Sequence, residues 1–444
     1  MFKTIINAWK IPELRKKLLF TVLILVIYRF GNTIPIPFID ATALKSMFSA
    51  QGENAFYGYL NMLTGGSFTA ATIFALSISP YITASIIVQL LTMAIPAMER
   101  MVKEGGEEGR KKQSMITRYT TIGLGLLEGF TYYITLLRNK MSDGSSILKT
   151  NVFTSNESVD KVLVAIVIIL TFTAGTALVM WLGEQINSKG IGNGISMILF
   201  AGILSRFPAY VSSAIASVKA GTLSIFVLLL LAVATVAVFG LVVWVSDAER
   251  RLQVQYAKRV IGKKVYGGQS SYLPIKVNMT GVMPIIFASS IVSLPSMIAA
   301  FFDAPAQGSF WYYFLKCTQA PSPVYMILYF VLIVAFSFFY AYAQFNPVEV
   351  ANNMKNNGGF LPGLRPGRPT AEYISRVLKN LTVLGALFLS FIAIVPIIIS
   401  ACSESLGSLA MGGTTLLIVV GVALETVQQL ESQMIMRHYK GFLN

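Results

Sequence analysis

Ile225 to Val245 reads IFVLLLLAVATVAVFGLVVWV, without one charged residue. A run of about 20 apolar residues is the length a helix needs to cross a bilayer. Lipid offers backbone amides no partners, so such a run spans only as a helix. Similar blocks lie on either side of it, at Leu18–Ile36, Phe74–Ile95, Val162–Leu182 and Leu381–Ile399. Over all 444 residues, 55% are hydrophobic and 12% charged, and the mean hydropathy is +0.66. A soluble domain carries about 25% charged residues, so this chain cannot coat a water-facing surface. The patterning predicts an all-α polytopic membrane protein of about ten transmembrane helices. The expected spans are 18–37, 74–96, 117–137, 161–182, 194–207, 222–245, 275–301, 324–345, 377–400 and 412–431. The first block follows Lys3, Lys10, Arg15, Lys16 and Lys17. It is too long for a signal-peptide core, and no small-residue cleavage site follows it, so it reads as a retained span.

The net charge is +15. Lys and Arg sit in short segments between spans and concentrate in alternate ones, which places both termini in the cytoplasm and sets aside a nucleic-acid reading. Two of the cytoplasmic segments are long. One (246–276) holds Arg250, Arg251, Lys258 and Arg259, and the other (346–376) holds Lys355, Arg365 and Arg368. Binding of anionic lipid headgroups accounts for their charge. Loops of this length rich in Gly, Pro and Tyr point further, to a docking site for a large partner. Residues 52–73 are too short and polar to span; they read either as an outside loop or as a short re-entrant helix.

No catalytic constellation is visible, and the chain reads as no enzyme. Cys317 and Cys402 have no metal-ligand spacing, and His438 is the lone histidine. No phosphate-binding G-x-x-x-x-G-K-[ST] loop occurs, so neither nucleotide nor metal nor other cofactor is expected. Gly190, Gly192 and Gly194 join two spans and read as a tight turn. Ionisable residues inside spans mark ion routes. Here they are few (Arg29, Glu128 and Glu425), which weakens a solute-transporter reading; Arg29 is expected to need a protein partner. Ile78 and Ile82, and Ile195 and Leu199, form apolar pairs at helical spacing.

Several strings together resemble the SecY family of pore subunits of the bacterial protein-translocation channel. They are Asn61–Gly66, Phe74–Leu76, Pro80–Leu91, Trp181–Ile186, Gly190–Ser196, Tyr256–Arg259, Leu273–Asn278, Phe345–Pro347, Pro362–Gly367 and Gly412–Thr414. They run in the family's order over nearly the whole chain. The resemblance implies two inverted halves, 1–207 and 208–444, with five spans in each. It implies an apolar pore ring of Ile78, Ile82, Ile195, Leu199, Ile286 and Ile418, and a plug near 57–69 that includes Leu60, Asn61, Met62, Leu63, Thr64, Gly65 and Gly66. It also implies a lateral gate, for which Thr83, Gln89, Glu128 and Ser290 are candidates. The basic loops would dock the ribosome or the ATPase SecA, with Arg365 first, then Lys258 and Arg259, and Arg250 and Arg251 beside them. The small subunits SecE and SecG would be membrane partners, membrane lipids would surround the spans, and signal sequences and nascent polypeptides would be the substrates. The implied location is the bacterial plasma (inner) membrane.

Overall fold

The computed structural model describes residues 2–40, 43–44, 61, 64–138, 147–149, 156–221, 224–256, 259–261, 264–266, 270–299, 302, 308–319, 321–402 and 413–440. Its helices are α1 (Phe2–Lys10), α2 (Pro12–Gly31), α3 (Ser79–Ala94), α4 (Pro96–Glu104), α5 (Gly106–Arg138), α6 (Glu157–Lys189), α7 (Gly194–Lys219) and α8 (Ile225–Asp247), followed by α9 (Met283–Ala299), α10 (Phe310–Thr318), α11 (Pro323–Gln344), α12 (Pro347–Asn356), α13 (Arg368–Cys402) and α14 (Gly413–Lys440). Strands are β1 (Glu249–Tyr256), β2 (Arg259–Ile261), β3 (Lys264–Tyr266), β4 (Ser270–Lys276) and β5 (Gly359–Phe360).

Each of the ten expected spans coincides with a helix. Among the described residues, six helices are long and apolar enough to cross a membrane alone. The α3–α4 pair adds a seventh candidate, bent by 98°. The break falls at Ile95, where Pro96 denies its predecessor the helical region.

Several expected boundaries move, four of them as follows. The first span stops at Gly31, not residue 37. Beyond it Ile36 N donates to Ala71 O and Ile73 N to Ile34 O, so this stretch pairs as a β-bridge at Pro35 and Thr72. The second span starts at Ser79 and not residue 74, because Ser77 holds a left-handed φ of 47° and Pro80 then opens the helix. The fifth runs past 207 to Lys219, carrying Pro208 in its interior. The seventh starts at Met283, because residues 270–276 are strand.

The chain divides into two compact units, one of Met1–Lys219, Ser293–Ser322 and Val422–Asn444, the other of Ala220–Val292 and Pro323–Gly421. In the first, α5 packs on both α3 and α6, α7 packs on α6, and α2 lies against α6 and α7. Its core gathers Phe68, Tyr132, Leu136, Ile168 and Phe172. Gly175 on α6 lets the chain at Ile73 approach closely; a Cβ there would strike the Ile73 carbonyl. Midway along α2, Thr21 Oγ1 donates to Lys17 O at 3.0 Å and accepts from Ile191 N at 3.0 Å. Thr21→Val leaves that buried amide without an acceptor and should cost about 1–3 kcal/mol. Thermal melting in detergent checks this; an unchanged midpoint refutes it.

In the second unit α13 packs on α11 and α12. A small sheet joins the two basic segments in the order β4-β1-β5, all antiparallel. Leu252 and Val254 of β1 are buried and the residues between and beside them exposed, the period of two expected of a half-covered strand. They meet Ile275, Met354, Ile374 and Leu378 in one core.

Candidate functional site

The residues of the expected ring fall in both units. In the first, Ile78 stands immediately before α3, and Ile82 one turn on donates its amide to Ile78 O at 3.0 Å. Ile195 and Leu199 lie one turn apart in α7. In the second, Ile286 is in the first turn of α9, and Ile418 lies near the start of α14. Ile78, Ile82, Leu199, Ile286 and Ile418 are all 7% exposed or less, and Ile195 is half-buried. These branched apolar side chains therefore face protein, not the outer surface.

Of the expected plug, Leu60, Met62 and Leu63 lie outside the described residues. Asn61, Thr64, Gly65 and Gly66 form a tight knot. Asn61 O accepts from Gly66 N at 2.8 Å, and Asn61 Oδ1 accepts from Thr69 Oγ1 at 3.0 Å. Thr64 Oγ1 accepts from Phe68 N at 3.2 Å. Gly65 has φ 68°, and a Cβ there would lie 2.7 Å from both Gly202 O and Ser205 Oγ of α7. One residue that the sequence reading missed fastens the knot. Tyr132 donates its hydroxyl to Phe68 O at 2.8 Å, and its ring meets Phe68 edge-on at 4.9 Å and Phe172 at 4.7 Å. A tyrosine inside a span needs a partner for its hydroxyl, and that was the available signal. Tyr132→Phe should lower stability by about 0.5–1.5 kcal/mol. A melting curve matching the parent's would remove Tyr132 as an anchor.

Three gate candidates make a hydrogen bond within their own helices. Thr83 Oγ1 donates to Ser79 O at 3.2 Å, Gln89 Nε2 to Ser85 Oγ at 3.2 Å, and Ser290 Oγ to Ile286 O at 2.9 Å. Glu128 is half-buried in α5. Arg29 is not deep in a span: it is exposed in the last turn of α2, where free carbonyls favour a cation.

On the basic loops, Arg250 and Arg365 are exposed. Arg251 is exposed too, but its Nε pairs with Glu249 two residues away on the same strand face, at 2.7 Å. Lys258 lies outside the described residues, and Arg259 opens β2. Asn346 caps α12, its Oδ1 accepting from Val348 N at 3.1 Å with Pro347 in the first turn. Arg365 sits between Gly363 and Gly367, both left-handed, at φ 83° and 101°. Thr370 Oγ1 donates to its carbonyl at 2.8 Å, so the turn that presents the guanidinium is held from below.

No group of three or more His, Cys, Asp or Glu side chains among the described residues could hold a metal ion. The arrangement is a set of buried apolar side chains, a fastened loop and exposed arginines on the basic loops, none of which supplies a nucleophile or acid–base pair.

The SecY family profile matches residues 72–427. The protein translocase subunit SecY of Streptomyces coelicolor is 44% identical over 450 residues, covering 100% of both chains. That of Thermotoga maritima is 40% identical over 451 residues, covering 100% of this chain and 98% of its own. Among solved structures, the one titled "The structure of a protein conducting channel" superposes with a TM-score of 0.65 at 19% identity, over 95% of this chain and 93% of that one. Another, of a SecY whose plug domain stabilises the closed state of its channel, gives 0.64 at 18%, over 95% and 92%. These two show the shared fold, and identity along the full length carries the rest: the chain is a multi-pass membrane protein that belongs to the SecY family.

Proposed function

We propose that this chain is the channel subunit of a protein translocase, conducting unfolded secretory polypeptides across the membrane and releasing transmembrane segments sideways into lipid. The observation that carries it is the burial of Ile78, Ile82, Leu199, Ile286 and Ile418, positions the family resemblance assigns to a pore ring. A collar of such side chains disfavours a continuous water column and resists ions. It offers no polar group to hold a passing chain. The knot of Asn61 and Thr64–Thr69 is the base of a plug, and Thr83, Gln89, Glu128 and Ser290 belong to the lateral gate. The halves 1–207 and 208–444 are inverted repeats.

Arg365, Arg250, Arg251, Lys258 and Arg259 form the docking face for SecA or a ribosome; solved relatives of this fold include a ribosome-bound Sec61 channel and an Ssh1 complex bound to the yeast 80S ribosome. SecE and SecG are the membrane partners, the location is the bacterial plasma membrane, and both termini are cytoplasmic. Reconstitution with SecA and ATP tests the reading. A protected secretory precursor is the expected result. A small solute accumulating while the precursor stays outside would overturn it.

A further inference from the structure

The first helix carries a surface that conduction does not use. Its inner face is fixed by contacts within its own unit. Ala8 is fully buried with Leu14, Ile191 and Leu430, and Ile11 and Leu18 pack on that cluster. Thr4 Oγ1 donates to Glu431 Oε1 at 2.9 Å. Thr4 and Ala8 stand four residues apart, so they share one stripe of the helix. With that stripe committed to protein, the opposite one points outward. It carries Ile6 and Trp9, 57% and 48% exposed, beside the exposed Lys10.

Only Ile11 separates α1 from α2. The first turn of α2 exposes Arg15 and Lys16, and the turns beyond expose Leu19, Leu23 and Val26. The change from cationic to lipid-facing apolar surface thus falls within two turns of α1. That places α1 at the depth where a bilayer passes from headgroup to acyl chain. Tryptophan favours that layer, with its ring in the apolar boundary and its N–H toward water.

We propose that α1 is an interfacial docking helix for anionic phospholipid. Ile6 and Trp9 enter the headgroup–acyl boundary, and Lys10, Arg15 and Lys16 meet lipid phosphates. Lysine and arginine suit this role, because their stems lie along apolar surface while their heads reach the phosphates. The same helix grips the turn at Ile191 and the end of α14 through Ala8 and Thr4, so the bound lipid braces that junction.

The test places Trp9 alone, in the full chain carrying Trp181→Phe, Trp244→Phe and Trp311→Phe, reconstituted in vesicles of phosphatidylglycerol or phosphatidylcholine. Lipids brominated near the carboxyl end of the acyl chain should quench Trp9 more than those brominated near the methyl end, and more in phosphatidylglycerol. Ile6→Glu, which leaves the Ala8 face untouched, should remove that quenching and expose Trp9 to aqueous iodide. Exchanging Lys10, Arg15 and Lys16 for Gln should abolish the preference for the anionic vesicle. Iodide quenching without bromolipid quenching in the parent overturns the proposal. Quenching by neither also overturns it, since protein then covers Trp9. Equal quenching in both vesicles removes the anionic headgroup from it.

Discussion

Gly65→Val raises the ion conductance of the resting, reconstituted channel by about 5- to 150-fold. Gly65 holds φ 68°, where a β-branched residue is strained by about 1–3 kcal/mol. The substitution also puts a side chain 2.7 Å from the Gly202 carbonyl and the Ser205 hydroxyl of α7. The carbonyl belongs to a helix backbone and cannot swing aside. Asn61, Thr64 and Tyr132 hold the rest of the knot, so relief comes from lifting the segment off α7. Each 1.4 kcal/mol taken from the closed arrangement shifts the open-to-closed ratio about tenfold. Gly66→Ala separates the two causes: Gly66 has φ 92° but open space around its Cβ position, so it carries strain without collision. Its leak should be the smaller. Deleting residues 60–68 should match or exceed the Gly65→Val leak. Single-channel currents equal to the parent's in both Gly65→Val and the deletion would remove the plug from this segment.

Arg365→Glu slows SecA-driven transport by about thirtyfold or more while leaving membrane insertion and thermal stability unchanged. Reversing a charge that pairs across an interface costs about 2–5 kcal/mol, because it removes a partner and adds repulsion. Arg365 is exposed, and its turn is held by the Thr370 hydroxyl on the backbone and not by the guanidinium. The turn should therefore keep its shape in the variant. Transport into inverted vesicles, with the melting midpoint measured alongside, checks both halves of the expectation. A transport rate equal to the parent's would take the docking role away from Arg365.

The spans were legible because each is a long apolar block, and lipid leaves such a block one conformation. Their ends were less so. Phe74–Ile78 is as apolar as the helix after it, and only the left-handed Ser77 and the following Pro80 delay the start to Ser79. Residues 275–282 read as part of a span until β4 pairs with β1. That sheet joins β1 to β5, about a hundred residues on, and which segments pair is not written in the alternation of any one of them. Pro96 did carry a visible signal for the break after α3. At the site, the resemblance named the apolar positions, but the fastening of the knot by Tyr132 and the close approach of α7 at Gly202 depend on tertiary neighbours. The ion pair of Arg251 with Glu249 was not legible, because it depends on a strand that loop composition did not suggest.

The pairing of Gln255 with Phe360 and Tyr256 with Gly359 has a consequence for how this chain can be altered by recombination. The two basic segments share hydrogen bonds and a hydrophobic floor, so neither is a module. A chimera that imports one of them from a relative inherits a ladder edge matched to a different neighbour, and its foreign segment should be the first part to be nicked by protease. Importing both at once restores the match, so exchange of the pair should succeed where exchange of either alone does not.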